Sequence, residues 1–238
     1  MSTSAAIDLQ SALLERLTRV HDQIERSARS TGRTASDITL VGVSKMVDRA
    51  AVDLAYACGL RDFGENRVQD ARAKFAEDVP ADLRLHLIGS LQTNKARHVV
   101  GSFHLVHSVD RDALVDALDA RASQIGVTQS VLIQVNIARE EQKHGCIAED
   151  TSGLIERVLD APNLALKGLM TMAPLVSTID EARPIFAELR ALRDRLRDRY
   201  PEANLRHLSM GMTNDFPAAI EEGATIVRVG RAIFATPI

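Results

Sequence analysis

The first long pattern of apolar residues recurs at helical spacing. Between residues 7 and 29, Leu13, Leu17, Val20 and Ile24 stand three or four positions apart, with charged residues between them. Apolar residues at this spacing lie on one face of an α-helix. The pattern therefore predicts an amphipathic helix that packs against the part of the chain that follows it.

From residue 38 onward, short apolar runs alternate with helical stretches. Eight runs are candidate strands, at residues 38–45, 62–66, 83–89, 103–110, 130–137, 166–172, 207–212 and 224–231. Several are largely apolar rather than strictly alternating, which is typical of parallel strands covered on both sides. Eight repeats predict an α/β fold, a single (β/α)8 TIM barrel with an extra N-terminal helix. An open doubly wound sheet is the alternative, but no run is followed by a G-x-G-x-x-G turn.

The ends of the helices and the domain organisation follow from the same pattern. Asp110 is a predicted N-cap for the helix that carries Leu114 and Leu118, and Gly126 is its predicted stop. The sequence contains no linker, low-complexity tract or shift in composition. We therefore expect one domain over residues 1–238, with residues 1–32 forming an N-terminal helical segment that packs on the barrel.

Composition and charge narrow the classes of partner. The 238 residues carry a net charge of −3 and include no Trp, so we expect neither the basic surface nor the aromatic stacking that nucleic acid requires. No apolar run approaches the roughly 20 residues of a membrane span. The first six residues lack the basic and apolar segments of a secretory signal. We expect a cytoplasmic protein that binds neither nucleic acid nor a membrane.

Common nucleophile and metal motifs are missing from the sequence. Cys58 and Cys146 are too far apart for a metal knuckle and too few for a disulfide framework, so both are predicted to be reduced, inert thiols. The patterns H-E-x-x-H, G-x-S-x-G and Walker A do not occur. No metal site is predicted.

Lys45 is the most informative polar residue at a strand end. Active sites of such barrels form where the strands end, and Lys45 follows the apolar run at residues 40–43 after the single residue Ser44. Partial burial of a lysine favours the neutral amine, which can attack a carbonyl to form a Schiff base. Alternatively, Lys45 extends out of the rim into solvent or pairs with an acid such as Glu65.

The loops after the seventh and eighth strands indicate a phosphate site. In these barrels that pair of loops often binds phosphate through backbone amides and a helix N-terminus. Residues 209–215 supply hydroxyl groups and Gly211, while Arg228 and Arg231 flank Gly230 in the second loop. The alternative is that the glycines mark ordinary turns and that Arg231 is solvated.

Two middle segments leave their roles open. Asn66 either contacts a ligand oxygen or caps a helix. His86 either lines a pocket or is a hydrogen-bonded core histidine, with Thr93 capping the helix that follows.

These motifs together carry a resemblance to a known family. The chain resembles the YggS/PROSC-like pyridoxal-phosphate homeostasis proteins along nearly its whole length. The matching segments occur in the family's order and spacing: VSK at 43–45, FGEN at 63–66, HLIG at 86–89, QTNK at 92–95, HSVDR at 107–111, GLMTM at 168–172, LSMGM at 208–212 and VRVGRAIF at 227–234.

The resemblance implies a fold-type III barrel, related to the N-terminal domain of alanine racemase, that binds pyridoxal 5′-phosphate (PLP). Lys45 would form an imine with PLP, Arg228 would face its pyridine nitrogen, and Asn66 would lie near its ring. The implied cofactor-binding set is Lys45, Asn66, His86, Ser209, Met210, Gly211, Thr213, Arg228, Gly230 and Arg231, of which Ser209, Thr213, Gly230 and Arg231 fall on the phosphate-binding loops. No catalytic residue beyond Lys45 and no metal ligand is implied.

The implied role is PLP homeostasis and balance of vitamin B6 and of amino and keto acids, by a carrier without strong turnover. Its partners would be PLP and PLP-dependent client enzymes, and we expect a monomer rather than an oligomer. Three positions depart from the family pattern: Thr213 stands for Ser, Met46 for a small polar residue, and Phe234-Ala235-Thr236 for Phe-Gly. The last two put packing at the rim in doubt.

Two alternative functions share this barrel. A PLP-dependent amino-acid racemase needs a second acid or base opposite the lysine, yet Tyr56 and Tyr200 lie in predicted helices away from the strand ends. A hydrolase or aldolase would form the lysine imine with its substrate instead of with a cofactor, and would lack the absorbance of bound PLP.

Overall fold

A closed barrel of eight parallel strands forms the centre of the molecule. The computed structural model describes residues 3–140, 142–174 and 179–234, with side chains from residue 8 onward. Neighbouring strands pair in chain order, and the last strand pairs with the first. The strands are β1 (Thr39–Val43), β2 (Asp62–Glu65), β3 (Arg84–Leu87), β4 (Leu105–Val109), β5 (Gln129–Gln134), β6 (Leu164–Met170), β7 (His207–Ser209) and β8 (Ile226–Val229). Each predicted run overlaps one strand, so the predicted TIM barrel is confirmed.

Helices cover the outside of the barrel. The α-helices of the described residues are α1 (Thr3–Arg29), α2 (Arg49–Ala57), α3 (Val68–Lys74), α4 (Asp112–Ile125), α5 (Thr151–Leu159), α6 (Ile179–Arg199), α7 (Phe216–Glu221) and α8 (Arg231–Phe234). Between β3 and β4 the chain forms a 3₁₀ helix, Thr93–His98, instead of an α-helix. Further 3₁₀ helices are Ala35–Asp37 and Ala148–Asp150.

The ends of α4 match the sequence prediction at one terminus only. Gly126 ends the helix in the left-handed region with φ of 69°, where glycine is favoured, as predicted. The predicted N-cap at Asp110 is wrong. Strand β4 runs to Val109 and the turn takes two more residues, so Arg111 occupies the cap position and provides no capping side chain. Asp110 instead accepts a hydrogen bond from Arg111.

The amphipathic helix α1 packs on the barrel as predicted. Leu13, Leu17, Val20 and Ile24 are all buried, and α1 contacts α2, α7 and α8. Arg16 adds a hydrogen bond of 2.7 Å from its Nε to a backbone carbonyl in α8. The helix therefore closes the side of the barrel where β8 meets β1.

The interior of the barrel contains both apolar and polar side chains. One buried cluster inside the barrel is apolar and consists of Val41, Leu105, Leu132, Met170 and Ile226. Buried polar side chains on β2, β3, β4, β7 and β8 are joined by hydrogen bonds: Asp62, His86, His107, Ser209 and Arg228. Barrel interiors are usually filled by branched apolar residues. The polar group is therefore an exception that needs a physical reason.

Neither cysteine has the surroundings of a reactive thiol. Both are free and partly buried. Burial raises the pKa of Cys58 and raises that of Cys146 to about 11. A thiol is nucleophilic as the thiolate, so both groups stay in the inert form near neutral pH. Among the helices that the structure describes, none has the length and apolar character that a bilayer span requires.

Candidate functional site

A cleft opens at the carboxyl ends of the strands, where sites form in this architecture. Its volume is about 230 Å³, the space of roughly eight water molecules, which suits a small ligand. Residues at the ends of β1, β2, β3, β6, β7 and β8 line it: Val43, Lys45, Asn66, Ile88, Met172, Pro174, Met212, Thr213, Asn214, Asp215, Arg228, Gly230 and Arg231. Six of the ten predicted site residues are among them.

Lys45 lies on this cleft just beyond the end of β1. Its side chain is exposed, so the partial burial expected at a strand rim is wrong, and burial is not what would make this amine reactive. Across residues 3–140, 142–174 and 179–234, no hydrogen bond or ion pair involves its Nζ. The amine is therefore available to a ligand in the cleft.

The alternative pairing of Lys45 with Glu65 is wrong, because Glu65 has other partners. The fully buried Glu65 carboxylate accepts hydrogen bonds of 2.7 Å from Lys74 Nζ and from Ser44 Oγ. Lys74 Nζ also donates to the carbonyl of Ser44 at 2.6 Å. Since Ser44 precedes Lys45, this group fixes the backbone from which the Lys45 side chain extends.

Asn66 enters the cleft at the end of β2. Its alternative role as a helix cap is wrong, because the residue at the cap position of α3 is Arg67. The backbone of Asn66 packs tightly against Gly89, where an added Cβ would stand 2.2 Å from the Asn66 carbonyl oxygen. Gly89 therefore permits the close approach of two strand ends that places Asn66.

Arg228 brings a buried positive charge to the floor of the cleft. Its side chain donates hydrogen bonds of 2.6 Å to Ser209 Oγ and 2.8 Å to the Thr171 carbonyl. Only 3% of the residue is exposed. Burial lowers the pKa of the guanidinium to about 10, so the group remains charged near neutral pH. It is a fixed hydrogen-bond donor.

The two loops after β7 and β8 meet at one side of the cleft. Arg231 donates a hydrogen bond of 3.3 Å to Asn214 Oδ1 across them, although its side chain is otherwise exposed. Asp215 accepts a hydrogen bond from the Met212 backbone amide, and burial raises the pKa of its carboxyl group. Thr213 supplies a hydroxyl from the same loop.

Four of the predicted site residues do not line the cleft but lie next to residues that do. Met210 is buried in the core between strands and helices. Gly211 has φ of 92° and its carbonyl accepts a 3.0 Å hydrogen bond from the Arg228 amide, which ties the β7 loop to β8. Ser209 and His86 are buried in the barrel interior below Arg228. For His86, the hydrogen-bonded core alternative describes the observed position.

A chain of hydrogen bonds crosses the barrel interior from this position. His86 contacts Asp62 Oδ1 through Nε2 at 2.9 Å and His107 Nε2 through Nδ1 at 2.9 Å. His107 Nδ1 lies 2.9 Å from Ser209 Oγ, which in turn accepts from Arg228. At the end of this hydrogen-bond chain that is remote from Arg228, Arg84 donates to Asp62 through Nε at 2.7 Å and through Nη2 at 2.5 Å.

Besides Arg228, two groups of this hydrogen-bond chain, Asp62 and His107, have strongly shifted pKa values. Burial alone would raise the pKa of Asp62, but hydrogen bonds from His86 and Arg84 outweigh it and lower the pKa to about 2. Burial holds the pKa of His107 well below its ordinary value, and electrostatic interactions with His86 and Arg228 lower this pKa further. Asp62 is therefore ionised and His107 neutral near neutral pH.

Sequence reasoning missed several residues of the site. Val43, Ile88, Met172, Pro174 and Met212 form its apolar wall. These residues stand at or just after strand ends, and this position in the sequence was the feature that could have identified them as site residues. Of the departures from the family pattern, Thr213 lines the cleft, Met46 is 85% exposed, and Ala235 and Thr236 lie outside the described residues.

Comparison with known families gives a match over most of the chain. Residues 21–237 match the family model described as alanine racemase, N-terminal domain. The chain belongs to this family. Among its relatives, a pyridoxal phosphate homeostasis protein of Aquifex aeolicus is 44% identical over 220 residues, covering 92% of this chain and 96% of that protein. The protein of the same name from Pseudomonas aeruginosa is 40% identical, covering 94% and 95%.

Solved structures agree with this family membership. PipY of Synechococcus elongatus, in a structure with PLP bound, superposes with a TM-score of 0.83 at 38% identity and covers 94% of this chain and 100% of its own. An alanine racemase of Clostridium difficile has a TM-score of 0.69 at 13% identity, covering 84% of this chain and 56% of that one, which shows a common fold alone.

The lowered pKa of Asp62 predicts an acid-dependent loss of stability. The ordinary pKa of 3.8 falls to about 2 in the folded protein, so the stabilisation is complete above the higher value and disappears as pH falls through the lower one. We expect Asp62→Asn to reduce the free energy of unfolding by about 2 kcal/mol near neutral pH. This deficit should shrink between about pH 4 and pH 2, as measured by urea unfolding followed by circular dichroism.

The matched control is Asp116→Asn. Asp116 pairs with Arg157 at the surface, where such pairs contribute about 0–1 kcal/mol. A deficit for Asp62→Asn that stays constant between pH 4 and pH 2 would contradict the assigned role of the carboxylate.

Proposed function

We propose that this chain is a PLP-binding homeostasis protein that carries the cofactor as an imine on Lys45. One observation carries the proposal: a lysine amine that has no partner among the described residues and a buried guanidinium face the same small cleft from adjacent strands, β1 and β8. The similarity to PipY, whose structure holds PLP, supports PLP as the ligand.

The residues present fit the chemical groups of PLP. Lys45 would take the aldehyde, and Arg228 would donate a hydrogen bond to the pyridine nitrogen. Val43, Ile88 and Met172 provide an apolar wall for a flat ring. When bound, PLP supplies a carbonyl that captures amines and a ring that accepts electrons.

The phosphate would bind between the loops after β7 and β8. Thr213 offers a hydroxyl, Gly230 a backbone without a side chain, and Arg231 a guanidinium that the structure holds beside Asn214. An arginine can form two charge-assisted hydrogen bonds with a phosphate group. Ser209, Met210 and Gly211 would act from beneath, by holding Arg228 and the first of these loops.

A carrier without strong turnover fits this site better than a racemase. Tyr56 donates to Asp82 and Tyr200 to Glu156, both on the outside of the barrel. Arg228 stays charged near neutral pH, so it would donate to a pyridine nitrogen and disfavour a proton there, which would weaken the ring as an electron acceptor and leave turnover dependent on a second base. Asp215 is the one carboxyl group among the described lining residues, and it holds the Met212 amide.

Exposure of Lys45 supports a role in handing the cofactor on. Because this side chain is open to solvent, an amine from another molecule can reach a cofactor attached to it. We propose that residues 1–238 act as one PLP-binding unit, a cytoplasmic monomer that supplies PLP-dependent client enzymes. Balance of vitamin B6 and of amino and keto acids would follow from this exchange.

The imine assignment predicts a coloured protein. Protein loaded with PLP should be yellow, and borohydride should fix the cofactor to the peptide that contains Lys45, because that amine faces the cleft without a partner. Lys45→Ala should abolish the absorbance band. Lys95→Ala and Lys143→Ala serve as controls that keep it. A reduced adduct that maps by mass spectrometry to Lys95 or Lys143 would contradict the assignment.

The phosphate assignment predicts a large preference for PLP over pyridoxal. Loss of charge-assisted hydrogen bonds worth roughly 3 kcal/mol corresponds to weaker binding by about two decades or more. Fluorescence or absorbance titration of both ligands measures the ratio. Thr213→Ala and Arg231→Ala should reduce that preference. Equal dissociation constants for the two ligands in the unmodified protein would place the phosphate elsewhere.

The described residues that line the cleft include no suitable second base, which predicts little catalysis. We expect the PLP-loaded protein to exchange its lysine imine with amino acids without efficient racemisation, transamination or decarboxylation. Incubation with a panel of L-amino acids in deuterated water, followed by NMR and chiral chromatography, measures α-proton exchange and chirality. Turnover at or above about 1 s⁻¹, the low end for enzymes, would favour the racemase alternative.

A further inference from the structure

The hydrogen-bond chain below Arg228 has only two self-consistent arrangements of its protons. The ionised carboxylate of Asp62 can only accept, so His86 Nε2, 2.9 Å away, must carry a hydrogen. His107 is neutral and therefore carries one hydrogen, on Nδ1 or on Nε2. The position of that hydrogen decides the direction of every other bond in the chain.

In the first arrangement both imidazoles are neutral. His107 Nε2–H donates to His86 Nδ1, so His107 Nδ1 accepts from the Ser209 hydroxyl. Ser209 Oγ then accepts from Arg228 and donates to His107. Every polar group of the chain has a partner, and every hydrogen points away from Arg228. The dipoles therefore present their negative ends to the buried guanidinium.

In the second arrangement His107 carries its hydrogen on Nδ1. His86 must then carry hydrogens on both nitrogens and become an imidazolium. Ser209 Oγ would accept from Arg228 and from His107 together, which leaves its own hydrogen without an acceptor in the chain. This state differs from the first by one proton on His86.

The hydrogen bonds of Ser209 favour the first arrangement. Ser209 is fully buried, and in the first arrangement its hydroxyl accepts from Arg228 and donates to His107. In the second arrangement the hydroxyl hydrogen has no acceptor in the chain, and a buried polar group without a partner is costly. Asp62 accepts two hydrogen bonds from Arg84 in either arrangement. The first arrangement is therefore the one in which every buried polar group of the chain is paired.

We propose that Asp62, His86, His107 and Ser209 form a hydrogen-bond chain of fixed direction that positions the Arg228 guanidinium toward the cleft. Asp62 sets the direction, the two histidines transmit it as neutral Nε2–H tautomers, and Ser209 presents a lone pair to Arg228. These four are positioning residues, since none of them lines the cleft. The consequence for PLP rests on the proposed function, in which Arg228 donates to the pyridine nitrogen.

The direct test is the protonation state of the two histidines in the full chain without cofactor. ¹⁵N NMR of histidine-labelled protein near neutral pH should show His86 and His107 as neutral Nε2–H tautomers, with a coupling across the bond from His107 Nε2 to His86 Nδ1. An Nδ1–H tautomer of His107, or an imidazolium at His86, overturns the proposal. This measurement needs no PLP, so its outcome is independent of whether the protein binds the cofactor.

A matched pair of serine variants tests the connection to Arg228. Ser209→Ala removes the hydroxyl between Arg228 and His107, so the ¹⁵N resonance of His107 Nδ1 should shift because this atom loses its hydrogen-bond donor, whereas the Nε2–H tautomer, which Asp62 sets through His86, should persist. Ser108→Ala is the control, because Ser108 is equally buried but donates to the Gly89 carbonyl outside the chain. With PLP, Ser209→Ala should weaken binding about tenfold or more and shift the absorbance band, whereas Ser108→Ala should change neither.

The remaining outcomes are also decisive. An unchanged His107 Nδ1 resonance in Ser209→Ala, or PLP affinity and absorbance equal to those of Ser108→Ala, overturns the positioning role. Should Ser209→Ala fail to fold by circular dichroism, the histidine tautomers of the unmodified protein decide the matter. Failure of the unmodified protein to bind PLP would overturn the proposed function while leaving the tautomer result intact.

Discussion

The buried guanidinium of Arg228 is the constraint on which the interior of this barrel depends. A charged group that is taken out of water is costly unless hydrogen bonds and opposite charges compensate it. Arg228 is 3% exposed, and its side chain donates to a hydroxyl and a backbone carbonyl. The polar residues below it are therefore a consequence of the charge. A fully apolar interior, usual for this fold, would remove the Ser209 hydroxyl that accepts from Arg228.

The part of the cleft formed by β1, next to β8, combines an anchored backbone with an exposed side chain. Lys45 is exposed, yet the residue before it is anchored through both its hydroxyl and its carbonyl, by Glu65 and Lys74. Glu65 and Lys74 form a buried ion pair, with side-chain exposures of 0% and 10%, and removal of either partner from such a pair typically costs about 3–5 kcal/mol. The backbone of the lysine is thus rigid while its amine stays accessible.

Sequence alone predicts those parts of the molecule that depend on local pattern. The periodicity located all eight strands, and the polar residues that follow them included Lys45, Asn66 and Arg228, which the structure brings to one cleft. Alternation of side chains along β7 and the residue that follows it could also have shown that Ser209 and Met210 face opposite sides. What the pattern could not show is pairing between distant strands. Asp62, His86, His107 and Ser209 come from four strands, and no spacing along the chain indicates that they touch.

A reversible carrier requires a rigid part of the site that holds the ligand and an accessible part at which another molecule can reach the ligand. A guanidinium whose partners are already in place loses little conformational entropy when a ligand arrives, so the wall formed by β7 and β8 can contribute orientation and affinity. In the proposed function, an exposed Lys45 would leave the attached ligand open to attack by another amine, which would allow release without opening of the barrel. In the proposed function, β7 and β8 therefore hold the ligand, and the residue after β1 permits its release. This division exists because Arg228 is buried whereas Lys45 is exposed to solvent.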